Sequence, residues 1–358
     1  MNYRVLAINP GSTSTKIAVF DDDKPAFTQV IRHDAREVAS FGAIIEQYEW
    51  RRGLVEQSLE ENKVGLKTLD AVVGRGGLLK GVASGTYTIN EKILEDLSNP
   101  NLWGREHASN LGAFIAKAIG DPLKIPSFIV DPVTVDELSD AARISGVPEI
   151  TRRTIFHALN VRYTARKLAE DMGKPFEEVN LIGVHMGGGI TVSAIEKGRV
   201  VDVNTAVLGS GPFSPQRAGT LPLGEVLDMA YSGEYTKEEL IIKFTKKSGL
   251  IGYLGTDDGV EIEERINNGD ERAALILRAM CYQVSKEIGA CGAALEGRID
   301  GVFLTGGLAY SSFIVEEITR RTRFMAPVHV LPGEKEMEAL TQGAIRVLRG
   351  EEQAKNYG

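Results

Sequence analysis

The chain has 358 residues, of which 43% are hydrophobic and 25% are charged, and its formal net charge is −8. This length predicts two domains, and the composition is typical of a globular protein. Acidic and basic residues are interspersed without a basic block, which argues against nucleic acid as a partner. No segment approaches the roughly 18 apolar residues that span a membrane. We therefore expect a cytoplasmic protein that makes no membrane contact.

The first predicted element is a hairpin within "LAINPGSTSTKIAVFDDDK", where two apolar runs flank a loop of small polar residues. The backbone N–H groups around Gly11, the hydroxyls of Ser12 and Ser14, and the ammonium of Lys16 are the donors that a polyphosphate needs. The spacing differs from a Walker A loop because Lys16 leads into another strand instead of a helix. The loop is either an ordinary hairpin turn or a cradle for phosphate.

Two further strands are predicted in the first half. "LDAVVGRGGLLKG", residues 69–81, reads as a buried strand that ends in a glycine turn with Arg75 inside it. Arginine's planar fork suits both carboxylate and phosphate, although a solvated surface position is the alternative. "IPSFIVDP" ends in Asp131 and Pro132, and the proline keeps the carboxylate near the strand end. Asp131 is a candidate for chemistry, or the N-cap of a following helix.

Apolar residues at three- and four-residue spacing predict helices over 134–142, 155–172, 237–246 and 271–295. Short strands alternate with these helices, which is typical of an α/β protein. Cys281 and Cys291 lie on the last predicted helix, too far apart to form a disulfide with each other.

The second half repeats the order of the first. A second hairpin at 179–203 contains "HMGGG", "IDGVFLTGGLAYS" at 299–311 matches 69–81 in register, and "APVHVLP" matches "IPSFIVDP". Chance similarity of glycine-ended strands is the alternative to a duplication. If the halves are duplicated α/β domains, ligands are expected at the strand ends, in a cleft between them.

Several residues near these loops could take part in phosphoryl transfer. Glycine loops let phosphates approach the backbone closely, and the candidates are Gly187, Gly188, Gly189, Gly306 and Gly307. Arg217 lies in "SPQRAGTLP", and His157 and His185 lie beside strand or helix ends, although a lone histidine is often structural. Glu334, Glu336 and Glu338 could reach a nucleotide-bound Mg²⁺, or simply favour a helix N-terminus.

Taken together, the motifs resemble the acetate kinase family. "INPGSTSTKIAVF", "VGRGG", "RRTIFHALN", "HMGGG" and "FLTGGLA" occur in this order along nearly the whole chain. The family belongs to the actin, hexokinase and Hsp70 superfamily, and the first motif is similar to the form found in butyrate kinases. The sequence departs from the acetate kinase pattern at Gly188, where that family has Asn, at Pro132, where it has Thr, and around Arg217, where it has T-R-S-G.

The resemblance implies two duplicated ribonuclease-H-like domains with ATP and Mg²⁺ between them. It implies reversible transfer of the γ-phosphoryl group to a short carboxylate such as butyrate, by a homodimer or larger homo-oligomer. An acetate or propionate kinase and a hydroxyl kinase of the same superfamily are the alternatives, and a non-enzymatic nucleotide switch is the least favoured. The expected domains are 1–151 with 335–358, which binds the acid, and 152–334, which binds the nucleotide.

The resemblance also implies roles for single residues. Arg75, with Gly76, would hold the acid's carboxylate, and Arg217 would neutralise the transferring group. His157 and His185 would bind the phosphoryl group. Asp131 would serve catalysis and the metal, and Glu336 would serve the metal, with Glu334 and Glu338 left open as alternatives. The residues expected to face ATP or ADP are Asn9, Gly11, Ser12, Ser14, Lys16, Gly187, Gly188, Gly189, Gly306 and Gly307.

Overall fold

The computed structural model describes residues 2–104 and 106–358. The chain divides into two compact units, Met1–Asp136 with Lys335–Gly358, and Glu137–Glu334. Each unit contains one β-sheet with helices packed on it. The assignment of 1–151 with 335–358 to the acid and of 152–334 to the nucleotide stays a prediction.

The strands of the described residues are numbered in chain order. They are β1 (Arg4–Pro10), β2 (Ser14–Asp21), β3 (Lys24–Arg32), β4 (Ala71–Arg75), β5 (Thr86–Thr88), β6 (Ser127–Val130), β7 (Asn180–Met186), β8 (Ile190–Glu196), β9 (Arg199–Val203), β10 (Gly301–Thr305) and β11 (Val328–Val330).

The α-helices of the described residues are numbered likewise. They are α1 (Ala35–Ala39), α2 (Tyr48–Glu61), α3 (Glu91–Ser98), α4 (Leu111–Leu123), α5 (Asp140–Arg143), α6 (Ala158–Asp171), α7 (Leu223–Tyr231), α8 (Lys237–Lys246), α9 (Gly249–Leu254), α10 (Gly259–Asn267), α11 (Glu271–Ala294), α12 (Ser312–Thr322) and α13 (Glu336–Leu348). Short 3₁₀ helices lie at Ile44–Gln47, Leu66–Thr68, Ala108–Asn110, Phe176–Glu178 and Gly307–Tyr310. None of these helices has the length and apolar character needed to cross a lipid bilayer.

The two sheets repeat one topology. The first has the strand order β3-β2-β1-β4-β6-β5 and the second has the order β9-β8-β7-β10-β11. In each sheet, three consecutive strands form an antiparallel meander. Two further strands then extend the sheet parallel to the first strand of the meander. The chain is therefore an α/β protein with two duplicated units, and the predicted duplication is confirmed.

An aspartate before the fourth strand of each unit makes the same contact. The Asp70 carboxylate accepts a hydrogen bond from the backbone N–H of Arg4 at 2.7 Å. The Asp300 carboxylate accepts one from the N–H of Asn180 at 2.8 Å. Each carboxylate thereby fixes the start of its parallel strand beside the start of its hairpin, so the sequence match reflects a shared backbone anchor.

The core of the first unit brings α4 directly against β4. Strand β4 is buried over Ala71–Gly74, and Val5–Ile8 of β1 are fully buried beside it. A side chain at Gly74 would overlap the carbonyl of Gly112 in α4, and one at Gly112 would overlap the backbone of Arg75. Both glycines are thus needed for the close approach that fixes the end of β4, where Arg75 lies.

The predicted helices agree with the structure except at one place. The helices predicted over 155–172, 237–246 and 271–295 correspond to α6, α8 and α11. The helix predicted over 134–142 is wrong, because only Asp140–Arg143 is helical and Ser139 caps it. Val135 is fully buried and pairs with Val82 in an isolated β-bridge, so tertiary pairing overrides the local helical pattern.

Candidate functional site

The first unit brings three predicted residues together at the carboxyl ends of its parallel strands. Asn9 lies near the end of β1, Arg75 at the end of β4, and Glu336 in the first turn of α13. The Asn9 amide donates to Glu336 at 2.6 Å and accepts from Arg75 at 3.3 Å. Arg75 also forms an ion pair with Glu336. This group, the Asn9–Arg75–Glu336 cluster, presents a half-buried arginine fork that is suited to a carboxylate.

Asp131 directly follows β6 and lies on the same edge of the sheet, because β6 runs parallel to β4. Its backbone adopts a left-handed conformation with φ of 36°, and its side chain is 6% exposed. The carboxylate accepts a hydrogen bond from the N–H of Gly85 at 2.7 Å. Since no helix begins within several residues, Asp131 is no N-cap, and its strand-end position agrees with the expectation.

Gly76 is required by the packing of these strand ends. A side chain at Gly76 would come within 2.7 Å of the Pro132 Cβ atom, so the turn after β4 lies against the turn after β6. This contact places Arg75 and Asp131 on neighbouring strand ends.

The hairpin loop after β1 is compact. The Gly11 N–H donates to the carbonyl of Ser14 at 2.7 Å and closes the turn. Ser12 is exposed, and Ser14 and Lys16 are partly exposed on β2. The loop is therefore a hairpin, as predicted, and it carries hydroxyl and ammonium donors on its accessible side.

The second unit stacks its two predicted histidines. His157 lies just before α6 and His185 in β7, and their ring centroids are 3.9 Å apart with an angle of 13° between the planes. His157 Nδ1 shares a hydrogen bond with the Thr191 hydroxyl at 2.8 Å. The rings therefore form one stacked pair at the carboxyl end of β7.

The Asn160 amide selects one tautomer of a neutral His185 ring. The Asn160 amide nitrogen lies 3.0 Å from His185 Nδ1 and 3.3 Å from the Thr305 hydroxyl. An amide N–H₂ can only donate, so Nδ1 accepts and the proton of the neutral ring is on Nε2. His185 is 1% exposed, and its Nε2 has no hydrogen-bond partner in the described residues. The Glu334 carboxylate stands 3.5 Å from this nitrogen without the geometry of a hydrogen bond.

Two glycine loops lie at the ends of β7 and β10. The Gly187 N–H donates to Gly189, and the carbonyl of Gly188 accepts from the Ser214 hydroxyl at 2.7 Å. Gly306 has φ of 87° and forms an isolated β-bridge with Gly333, whereas Gly307 is exposed. A side chain at Gly306 would overlap the backbone of Met186, so this glycine brings the two loops together.

Arg217 lies against the first of these loops. A side chain at Gly189 would overlap the Arg217 guanidinium, whose Nη1 donates to the carbonyl of Ala206 at 2.5 Å. The structure thus brings Arg217 next to the "HMGGG" loop.

Sequence reasoning did not find Asn160 and Thr191. Asn160 is the last residue of "RRTIFHALN", and Thr191 lies two residues after "HMGGG". Their partners are set by the packing of α6 and β8 beside β7, which no local pattern reveals.

A family comparison agrees with this geometry. A model of the acetokinase family matches residues 147–338, more than half of the chain. The chain belongs to the acetokinase family. This membership makes the protein a carboxylate kinase of that family, and the family-level resemblance is confirmed.

Solved structures share the fold of this chain. An acetate kinase from Porphyromonas gingivalis superposes with a TM-score of 0.78 at 20% identity, over 97% of this chain and 100% of that one. A propionate kinase from Francisella tularensis gives 0.77 at 17%, over 95% and 98%. An acetate kinase from Entamoeba histolytica gives 0.78 at 18%, over 96% and 99%. The chain therefore has the same fold as these acetate and propionate kinases.

Proposed function

We propose that this member of the acetokinase family is a butyrate kinase, which transfers the γ-phosphoryl group of ATP reversibly to a short straight or branched carboxylic acid. Family membership supports the reaction class. The butyrate kinase form of "INPGSTSTKIAVF", and Gly188 in place of the Asn of acetate kinases, support the branch. For a butyrate kinase we also expect a homodimer or larger homo-oligomer. Sedimentation velocity would determine the oligomeric state.

The observation that carries the proposal is the buried Nε2–H of His185. A buried donor left without an acceptor costs about 1–3 kcal/mol, so the site gains when an anionic oxygen reaches it. A phosphoryl oxygen is such an acceptor, and a donor aimed at it would stabilise the charge that develops during transfer. His157, stacked on the same ring and held by Thr191, would keep His185 in place.

Arg75 is the residue assigned to the acid. Its guanidinium is held at the strand ends by Asn9 and Glu336, which orient the fork before any substrate arrives. A guanidinium forms paired hydrogen bonds with a carboxylate, so Arg75 would position the attacking oxygen. Gly76, assigned to the acid with it, lets the turn after β4 pack against Pro132.

The transfer step needs no general base. A carboxylate oxygen of the ionised acid attacks the γ-phosphorus, the bond from phosphorus to the β,γ-bridging oxygen breaks, and ADP leaves with that electron pair. No proton has to be removed, because a short carboxylic acid is already ionised at neutral pH. Asp131, whose carboxylate is tied to Gly85, is accordingly assigned to positioning and to the metal. Arg217 is assigned to the charge of the transferring group.

The donor set fits a nucleotide-bound Mg²⁺. The described residues contain no cluster of three or more His, Cys, Asp or Glu side chains that could hold a metal by themselves. Mg²⁺ in kinases is held instead by one or two carboxylates, the phosphates and water. Glu336 and Asp131 supply those carboxylates at one strand edge, whereas Glu338 pairs with Lys335 at 3.8 Å and Glu334 belongs to the other unit. The ion would neutralise charge on the phosphates.

The nucleotide phosphates are assigned to the small-residue loops. In the first unit the donors come from Asn9, Gly11, Ser12, Ser14 and Lys16. In the second unit the backbone at Gly187–Gly189 and at Gly306 and Gly307 would allow the phosphates to approach closely.

An ATP-dependent hydroxamate assay over acetate, propionate, butyrate, isobutyrate and valerate tests the proposal. We expect the highest kcat/KM with butyrate or isobutyrate, and no ADP release with glycerol or hexoses in place of the acid. Absence of hydroxamate with every acid would overturn the proposed function. Acetate as the best substrate would leave the family assignment intact and overturn the butyrate branch.

A further inference from the structure

Arg51 lies beneath the first hairpin loop and is 1% exposed. It belongs to α2, within the sequence "WRRGL", and its neighbour Arg52 keeps 37% of its side chain exposed. The large difference in exposure shows that the fold buries one specific arginine of this pair.

The Arg51 guanidinium holds the loop through backbone carbonyls. Nη1 donates to Gly11 at 2.7 Å and to Ser14 at 3.3 Å, and Nη2 donates to Ser12 at 3.3 Å. Nη1 also lies 3.2 Å from the Thr15 hydroxyl. Gln47, one turn earlier on the chain, accepts from Nε at 3.1 Å and from Nη2 at 2.8 Å.

The remaining loop carbonyl is also held from within. The backbone N–H of His33 donates to the carbonyl of Thr13 at 3.0 Å. Every carbonyl from Gly11 to Ser14 is therefore bonded to a protein donor. Free carbonyl oxygens would repel a phosphate. Because these carbonyls are bonded within the protein, the loop presents the exposed Ser12 and Thr13 side chains to a phosphate instead.

No described carboxylate compensates the charge of Arg51. Within residues 2–104 and 106–358, no carboxylate forms an ion pair with its guanidinium, and all its hydrogen-bond acceptors are neutral. Burial lowers the pKa of this guanidinium to about 10, which still leaves it charged at neutral pH. Buried charges are normally paired, so an unpaired cation behind a loop of donors favours an anion on the loop's other side.

We propose that Arg51 is a positioning residue for the nucleotide phosphates: its fork fixes the carbonyls of Gly11, Ser12 and Ser14 inward, and its charge attracts the phosphates to the outer side of the loop. This role rests on the proposed function, and it acts through the loop without requiring that Arg51 touch the nucleotide.

Arg51→Lys tests the role, because lysine keeps the charge but cannot reach three carbonyls with one ammonium. We expect calorimetry to show ADP binding weakened about tenfold, about 1.4 kcal/mol, while adenosine binding changes less than about twofold. In kinetics, KM for ATP rises about as much as the dissociation constant for ADP, and KM for the acid changes less than about twofold.

Arg162→Lys is the matched control. Arg162 is 4% exposed in the second unit and donates to the carbonyl of Gly198 in the β8–β9 turn, so it is also a buried arginine that holds a hairpin. This variant should lower the melting temperature as Arg51→Lys does and leave ADP binding unchanged. A general effect of disturbing a buried arginine would appear in both variants.

Gln47→Leu keeps the test decisive if Arg51→Lys does not fold. It removes the acceptor of Nε and Nη2 while Arg51 stays in place, and it should weaken ADP binding about threefold. Wild-type ADP affinity in whichever variant folds, or equal weakening of ADP and adenosine, would overturn the inference. If the wild-type protein makes acyl phosphate and Arg51→Lys binds ADP with wild-type affinity, this inference is overturned and the proposed function stands. A wild-type protein that makes no hydroxamate and binds no ADP would overturn the proposed function and the inference with it.

Discussion

The hairpin loops of the two units share a topology but differ in what they present. The first loop, between β1 and β2, exposes hydroxyl side chains, and a buried arginine holds its carbonyls. The second, between β7 and β8, is made of glycines, and the Ser214 hydroxyl holds its central carbonyl. The second unit adds a buried histidine at the strand end, where the first has Asn9. Duplication thus preserved the backbone frame, while the donors on each loop diverged.

Of the differences between the two units, the histidine at the end of β7 should matter most for the reaction rate. His185→Ala should lower kcat by about 10²–10³, because loss of a donor to a developing anion has this size. His185→Gln, which can place an amide N–H near the position of Nε2, should recover part of the loss. Steady-state kinetics at saturating ATP and acid measures the effect, with thermal melting as the control for folding. An unchanged kcat in a folded His185→Ala protein would contradict the proposed role.

His33, beside the first loop, should make that unit sensitive to acid. Burial, and secondarily the charge of Arg51, lower its pKa from 6.5 to about 4. The unfolded chain therefore binds a proton between pH 6.5 and pH 4 while the folded protein does not. The stabilisation is complete above pH 6.5 and is lost as pH falls through this range, by up to about 3 kcal/mol at about 1.4 kcal/mol per pKa unit.

Urea unfolding at pH 7.0 and pH 4.5 measures this loss. His33→Gln keeps an N–H for the Thr15 hydroxyl, which lies 2.8 Å from His33 Nε2, and it removes the titrating group. The pH dependence should be weaker in this variant than in the wild type. An identical pH dependence of the two proteins would show that His33 is not its source.

In the second loop, two adjacent glycines should differ in their tolerance of a side chain. Alanine at position 189 would overlap the Arg217 guanidinium, whereas at position 188 its Cβ would stand 3.5 Å from Gln216, an ordinary contact. Gly189→Ala should lower kcat about tenfold, because the new methyl group displaces the Arg217 guanidinium from its position beside the loop. The side chain of Arg217 is flexible, so the backbone should stay in place. Gly188→Ala should be nearly neutral. Equal kcat values of the two variants would contradict the proposed role of Arg217 in phosphoryl transfer.

The smallest expected effect tests the symmetry of the two units. Asp70→Ala and Asp300→Ala each remove a hydrogen bond to the first residue of a hairpin strand, at a cost of about 1–2 kcal/mol. Asp300 also pairs with Lys174 at 2.6 Å, so its variant should be slightly less stable. Chemical denaturation measures both. A neutral effect at one site beside a large effect at the other would show that the two anchors are not equivalent.

The strands and the duplication were predictable because their signals are local. A buried strand that ends in glycine, preceded by a hairpin, occurs twice in the same order, and the matching aspartates proved to be matching anchors. Strand-end residues such as Arg75 could be grouped because parallel strands end at one edge of a sheet.

Other features depended on contacts between distant segments. Thr134 and Val135 lie in a segment whose apolar spacing predicts a helix, but the backbone of this segment hydrogen-bonds to Val82. The sequence does not distinguish the adjacent residues Arg51 and Arg52. Only the packing of α2 against the first loop decides which of them is buried. His185 Nδ1 is a hydrogen-bond acceptor because Asn160, which lies on α6, donates to it.

The order in which the units can be completed follows from the position of α13. This helix packs against β1, β4 and β6 of the first unit, yet the whole of Glu137–Glu334 precedes it in the chain. A ribosome therefore finishes the second unit before it makes the segment that completes the first. Because domains tend to fold as units during synthesis, the contiguous unit is expected to fold first. The Asn9–Arg75–Glu336 cluster would be assembled among the last parts of the protein.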